Sequence, residues 1–334
     1  METILLLAHV EAQGGLSKAA LEALGLAKSL VGTLVVGLAG EAVQSAANAV
    51  AGCGAARFLA VEGAAFAAPR YYTDAAAAEA LAKACGATVI VALGTSRWSR
   101  ALPGVAQRLN GVVDSHVTGV TASGGGLAVS RWYYRQRIEA VQRRTQRPWI
   151  ILVDTGCAEA WAGAAGQAAV ENVAVEAGAP RTTVAGIQAP QAAQQTIRPD
   201  AKLLFVTGAG WTKKQKDGQP HVEEAGELIL GFLGKAQCSL GSSKSLVDLS
   251  GEGQAVLPFL THLNQVGQTG ATPRHPKGLA TCCHGEEPHV VGWRFIKERR
   301  AVNLDSNCGW ARGKADVLYV ADAFEVMRKL TALL

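Results

Sequence analysis

The chain has 334 residues, enough for two domains that each bury a core of their own. With 49% hydrophobic residues, 18% charged residues and 38 glycines, its composition excludes a disordered or fibrous protein and fits an α/β one. A net charge of +5 with dispersed basic residues argues against a nucleic-acid partner.

The N-terminus, Met1-Glu-Thr-Ile-Leu-Leu-Leu-Ala-His9, carries an acidic residue at position two, no basic leader and a short apolar run. It reads as a buried first strand, neither a signal peptide nor a membrane span, and the protein is not expected to be membrane-embedded. Cys53, Cys85, Cys157, Cys238, Cys282, Cys283 and Cys308 form an odd set without framework spacing. That usage suits a reducing compartment. With the Ala- and Gly-rich composition it points to a cytoplasmic, bacterial protein.

Short apolar runs alternate with segments of helical period. Ile4 to Ala8 is a strand, Leu21, Leu24, Ala27 and Leu30 mark a helix, and Leu34 to Leu38 is a second strand. A helix is expected to begin near Glu41, a strand at Phe58 to Val61, an alanine-rich helix at Thr73 to Ala84 and a strand at Thr88 to Leu93. After that strand, Gly94-Thr95-Ser96 can cap a helix running to Leu109. Because these runs do not alternate polar with apolar, they predict parallel strands buried on both faces. Val117 to Thr121, Leu127 to Trp132 and Ile138 to Val141 read as shorter strands, and Trp149 to Val153 as another. The basic cluster of Arg131, Arg135, Arg137, Arg143, Arg144 and Arg147 falls here, and reads as a solvated strand or a protein-docking face.

Residues 1–156 are therefore expected to form an N-terminal α/β domain. Residues 157–200, poor in large apolar side chains, read as a linker with some loose helix. The second domain, 201–334, opens with Leu203-Leu-Phe-Val206. It continues with a helix from Val222 to Lys235 and a strand leading to Gly241, then strands at Leu279 to Cys283, Ala301 to Leu304 and Val317 to Val320, and a final helix from Asp322. Ligands of open parallel sheets bind on the loops that follow strands.

On those loops lie the segments with chemical potential. In Leu263-Asn-Gln-Val-Gly-Gln-Thr-Gly270, Gly267 and Gly270 flank Gln268 and Thr269, so backbone N–H groups can approach an anionic ligand; ordinary tight turns share the pattern. Ser243 and Lys244 offer a small donor and a point charge. His289, after Gly285-Glu-Glu-Pro288, could donate to an anionic oxygen. Cys282-Cys283-His284 lacks a second ligand pair, so no metal is expected. Thr207-Gly-Ala-Gly210 is half a dinucleotide fingerprint, and no Gly-x-Ser-x-Gly, Walker or His-Glu-x-x-His motif supplies catalytic residues.

Together these segments resemble the alpha subunit of electron transfer flavoproteins over nearly the whole chain. Gln265-Val-Gly-Gln-Thr-Gly270 is identical to the family's flavin-binding signature. Gly241-Ser-Ser-Lys-Ser-Leu-Val-Asp248 stands where the family has Gly-Ala-Ser-Arg-Ala-Ala-Val-Asp, and His284-Gly-Glu-Glu-Pro-His289 where it has Ser-Gly-Ala-Ile-Gln-His. Ala301-Val-Asn-Leu-Asp305, Ala315 to Phe324 and Arg198-Pro-Asp200 are similar to further family segments. The resemblance implies a Rossmann-like N-terminal α/β domain that docks a partner, followed by a flavodoxin-like FAD-binding domain with a parallel sheet. It implies an electron carrier, without catalytic side chains, that pairs with a beta-type subunit as a heterodimer. Such a carrier accepts electrons from flavoprotein dehydrogenases and passes them to a quinone-linked acceptor.

By position, the resemblance assigns FAD contacts to Ser243, Lys244, Val266, Gly267, Gln268, Thr269, His284, Gly285, Glu286, Glu287, Pro288, His289, Asn303, Asp322 and Ala323. Three departures stand out. Gly210 replaces a family arginine, Lys244 replaces another, and Glu286-Glu287-Pro288 replaces Ala-Ile-Gln. They leave open a second reading, an FAD-poor scaffold or regulatory subunit of a related heterodimer.

Overall fold

The computed structural model describes residues 1–123, 126–134, 138–176, 178, 181–186, 197–198, 201–248, 255–267, 273–281 and 296–334. The chain divides into two compact units, Met1–Ile187 and Gln188–Leu334.

In the first unit, β1 (Glu2–His9), β2 (Gly32–Gly40), β3 (Arg57–Glu62), β4 (Val89–Leu93), β5 (Val112–Ser123), β6 (Gly126–Tyr133), β7 (Ile138–Gln142), β8 (Trp149–Val153) and β9 (Val170–Asn172) form one sheet. Its order is β7-β6-β5-β8-β4-β1-β2-β3-β9. All pairings from β5 to β9 are parallel, and β5, β6 and β7 pair antiparallel. The strand order around β1 is Rossmann-like, with the order of strand succession reversing between the parallel strands β1 and β4. Alternation along β1 sends Ile4, Leu6 and Ala8 toward α1 (Lys18–Ser29) and α2 (Gln44–Ala49). It sends Leu5 and Leu7 toward α3 (Tyr71–Cys85) and α4 (Ser96–Arg108). Burial on both faces is why these strands read as unbroken apolar runs. Thr95 caps α4 by accepting the Trp98 N–H at 3.2 Å, and Ser17 does the same for α1 through Ala20.

The stretch expected as a linker behaves differently over 157–178, where it is a strap on the first unit with no helix in its described part. Trp161 donates its N–H to the Leu21 carbonyl, Gly166 to that of Asn48, and Gly52 to that of Ala164. The strap then adds β9 to the edge of β3, where Arg57 grips Glu171 at 2.7 Å. Its seat depends on glycine: a Cβ on Gly25 would lie 2.3 Å from the Glu159 carbonyl oxygen, and one on Gly52 would lie 2.5 Å from that of Ala164. Backbone hydrogen bonds order this segment together with the packing of Trp161, Ala168, Val170, Val173 and Val175 against the two core faces.

Among the described arginines of the cluster, Arg143 is exposed, while Arg131, Arg144 and Arg147 are half-buried and paired with carboxylates. Arg131 donates to the fully buried Asp114 at 2.7 Å, Arg144 donates to it twice at 3.0 Å, and the Trp149 indole adds a bond at 2.9 Å. Arg147 binds Glu2 through its Nε at 3.0 Å. Burial raises the Asp114 pKa, but the hydrogen bonds from Arg144, Trp149 and Arg131 outweigh it and leave the carboxyl below its usual range.

In the second unit, β10 (Leu203–Thr207), β11 (Ser239–Ser242), β12 (Lys277–Thr281), β13 (Glu298–Asn303) and β14 (Val317–Val320) make a parallel sheet in the order β11-β10-β12-β13-β14. Counted from β10, this is the flavodoxin-like 2-1-3-4-5 order. Phe205, Leu240 and Val302 pack with α5 (Val222–Ala236) and the C-terminal helix Ala323–Leu333, while Leu204, Val206, Ala280 and Ala301 form the core of the other face. Among the described residues, no helix is long and apolar enough to cross a membrane.

Asp114→Asn should lower stability by about 2–3 kcal/mol in urea unfolding, because two guanidinium groups lose their charged partner. A depressed carboxylate contributes its stability above its unfolded pKa and loses it as pH falls through the folded value. The wild type should therefore weaken below about pH 4, and the variant should lack that component. Gly25→Ala sets a helix-propensity gain of roughly 1 kcal/mol against an overpacking cost of about 1–3 kcal/mol, so net destabilisation is expected. A more stable variant would show that the strap does not sit on α1.

Candidate functional site

Every strand of the second sheet runs in the same direction, so all five carboxyl ends share one edge. The loops after β10 and β12 leave at the switch point, where open sheets form a ligand crevice.

On the β11 side, Ser243 follows the strand and is 1% exposed. Its N–H donates to the Thr207 carbonyl at 2.9 Å, and its Oγ accepts the Leu246 N–H at 3.3 Å, starting the short helix α6 (Lys244–Asp248). Lys244 is exposed at the first position of that helix. The segment preceding Gly267 is tied directly onto β11. Thr261 opens a single turn at His262–Asn264 with a capping box, and the Asn264 amide donates to the Leu240 carbonyl at 3.2 Å. Val266 donates its N–H to the Ser242 carbonyl at 3.0 Å, making a parallel bridge between Ser242 and Gln265.

Gly241 makes this approach possible, since a Cβ there would lie 2.5 Å from Cγ2 of the buried Val266. Gly267 follows with φ 130°, a backbone conformation open to glycine and strained for other residues. Ser243, Lys244, Val266 and Gly267 are thus brought together although more than twenty positions separate the two segments.

On the other side of the switch point stand Asn303, Asp322 and Ala323. Asn303 ends β13, is 2% exposed and accepts the Asp305 N–H at 3.1 Å. Asp322 caps the C-terminal helix by accepting the Phe324 and Glu325 N–H groups at 2.9 and 3.2 Å, and Ala323 is buried beneath it. The Asp322 carboxylate is therefore engaged by its own helix, a role that Asp322-Ala-Phe-Glu325 announces as a capping pattern. Gln268, Thr269, His284, Gly285, Glu286, Glu287, Pro288 and His289 lie outside the described residues, as do Cys282 and Cys283. Among the described residues, no cluster of His, Cys, Asp and Glu could hold a metal ion.

Two residues at the crevice carried no expectation from sequence. Trp211, in the turn Ala209–Thr212 after β10, is fully buried and donates its indole N–H to Thr281 Oγ1 at 2.8 Å. Thr281, the last residue of β12, also receives the Gly208 N–H on its carbonyl at 2.9 Å. A tryptophan directly following a Gly-Ala-Gly turn was the available signal. Gly210, standing where an arginine was expected, is buried in the same turn.

Chemically, the edge offers the Ser243 hydroxyl beside β11, an exposed lysine at 244 and a glycine at 267 with no side chain to obstruct a flat or anionic group. The model of the electron transfer flavoprotein domain family matches residues 4–178, just over half the chain and within the first unit. A search of curated proteins gives no match.

Gly241→Ala should lower stability by about 1–2 kcal/mol, because the stiff Val266 side chain cannot move aside without breaking the Ser242 bridge. Adding Val266→Ala should recover part of that loss, as a double-mutant cycle in thermal unfolding would show. Strict additivity would mean that the two residues do not meet.

Proposed function

The chain belongs to the electron transfer flavoprotein family, and from that premise we propose that it is the alpha-type subunit, holding FAD in its second unit and pairing with a beta-type subunit. The complex accepts electrons from flavoprotein dehydrogenases and delivers them to a quinone-linked acceptor. The observation that supports this reading is the tie between β11 and Gln265 to Gly267, which brings these first residues of the signature stretch near Ser243 and Lys244 at the edge of a 2-1-3-4-5 sheet.

The residues present fit a flavin nucleotide. Gly267, at φ 130°, keeps the position free of a side chain, and Ser243 and Val266 lie on the same side. Asn303 and the start of the C-terminal helix stand along the edge toward which the nucleotide portion would extend. FAD, when bound, supplies the redox chemistry. The protein's part is to orient it, keep water from its buried side and bias its charge. Lys244 favours negative charge that develops nearby, and it does so as a point charge without the planar, paired contact an arginine would make. His289 is assigned the opposite edge of the ring by the same sequence resemblance.

A second reading, an FAD-poor scaffold subunit, is favoured by one observation: Gly210 is buried and brings no cation to the crevice. Absorbance decides between the two. The chain co-purified with its beta-type partner should show a flavin spectrum, as isolated or after addition of FAD; persistent absence would leave only the scaffold. Lys244→Ala should lower the two-electron potential by roughly 20 mV, since an exposed charge is worth up to about 1 kcal/mol and about 30 mV corresponds to 1.4 kcal/mol. An unchanged potential would remove Lys244 from the flavin's surroundings.

A further inference from the structure

Three strand ends of the second unit meet on one indole. Trp211 belongs to the turn after β10. Its N–H reaches across to Thr281 Oγ1 at the end of β12, 2.8 Å away, and its ring lies 4.7 Å from that of Phe324, in the first turn of the helix after β14, at a tilt of 48°. Trp211 and Thr281 are both fully buried. The Thr281 hydroxyl, having accepted the indole proton, directs its own toward the Val206 carbonyl at 3.3 Å, and the Gly208 N–H holds the Thr281 carbonyl. The last residue of β12 is thus fixed by three bonds to the chain around the end of β10.

These contacts lie at the switch point, between the adjacent strands β10 and β12. Ordinary core packing would bury the indole against Phe324 and leave its N–H wherever an acceptor fell. Here the N–H meets Thr281, the last described residue of β12. Ala323 and Asp322 sit beside Phe324, so the same ring also sets where the C-terminal helix begins.

We propose that Trp211 is a positioning residue for the flavin, holding Thr281 of β12 and the start of the C-terminal helix in place at the ligand edge of the sheet. The inference rests on the reading of the second unit as the flavin-holding one. It concerns a tryptophan that follows the position where an arginine was expected, and so describes how this chain shapes its crevice without that cation. Trp211 acts through Thr281 and Phe324 and is assigned no contact with the flavin.

The test uses the full chain with its beta-type partner, as wild type, Trp211→Phe, Thr281→Val and the double variant. Phenylalanine keeps an aromatic ring against Phe324 and removes the donor; valine keeps the shape of threonine and removes the acceptor. FAD affinity is measured by titrating flavin-free complex, alongside the visible circular dichroism of the bound flavin and the thermal midpoint without flavin. Each single variant should bind FAD about tenfold more weakly, with an altered flavin dichroism, as expected for one buried hydrogen bond. The double variant should bind no more weakly than either, because the same bond is lost. Thermal midpoints should fall most in Thr281→Val, which strands the indole N–H. Variants that lose thermal stability but keep wild-type FAD affinity and dichroism would overturn the proposal and leave Trp211 a core residue. A wild-type complex that takes up no FAD would overturn the cofactor reading and this inference with it.

Discussion

Val266 donates its N–H to the carbonyl of Ser242 at 3.0 Å, and Gly241 vacates the space that the Val266 side chain fills. Neither residue is reactive, yet the candidate site depends on this contact. It places a loop held far away in sequence against the end of β11, and parallel pairing then sets that end on the same edge as Thr207, Thr281, Asn303 and Asp322. The sheet supplies the common edge and the bridge supplies the loop.

The two units use opposite means of ordering polar groups. In the first, a buried carboxylate gathers two half-buried arginines and an indole, tying part of a segment that looks like a basic surface to the interior. In the second, order near the crevice comes from neutral donors: backbone N–H groups, hydroxyls and the Trp211 indole. Neutral contacts leave the local field to whatever charges stand at the rim, and Lys244 is an exposed one. Substitution at such a position can shift redox behaviour with little cost to folding.

Much of the fold was legible because burial on both faces leaves a signature. Ile4 to Ala8, Leu34 to Leu38 and Val89 to Leu93 carry no polar side chain, and the structure places them within β1, β2 and β4, with Thr88, also expected in the last strand, just before it. Thr95 was readable as a cap and is one. The strap was not legible, because Glu159, Ala164 and Gly166 hold it through backbone atoms seated against glycines of α1 and the turn after α2. Composition sees only a lack of large apolar residues there. At the site, spacing linked Ser243 to Gly267, whereas Trp211 stayed hidden because the meaning of its N–H depends on which strand end lies 2.8 Å away. Asp322 was read as a ligand contact, and its duty as the cap of the C-terminal helix was overlooked.

The strap also decides where the first unit can be cut. Its hydrogen bonds to Leu21, Asn48 and Gly52, and the addition of β9 to β3, mean that a fragment stopping near residue 156 would bare the grooves over α1 and α2 and turn β3 into an open edge. Such edges recruit other strands. A soluble, separately expressed first unit therefore needs the chain through Asn172 and the Val173 bond to Ala60, and the span that tethers it to the second unit is correspondingly shorter.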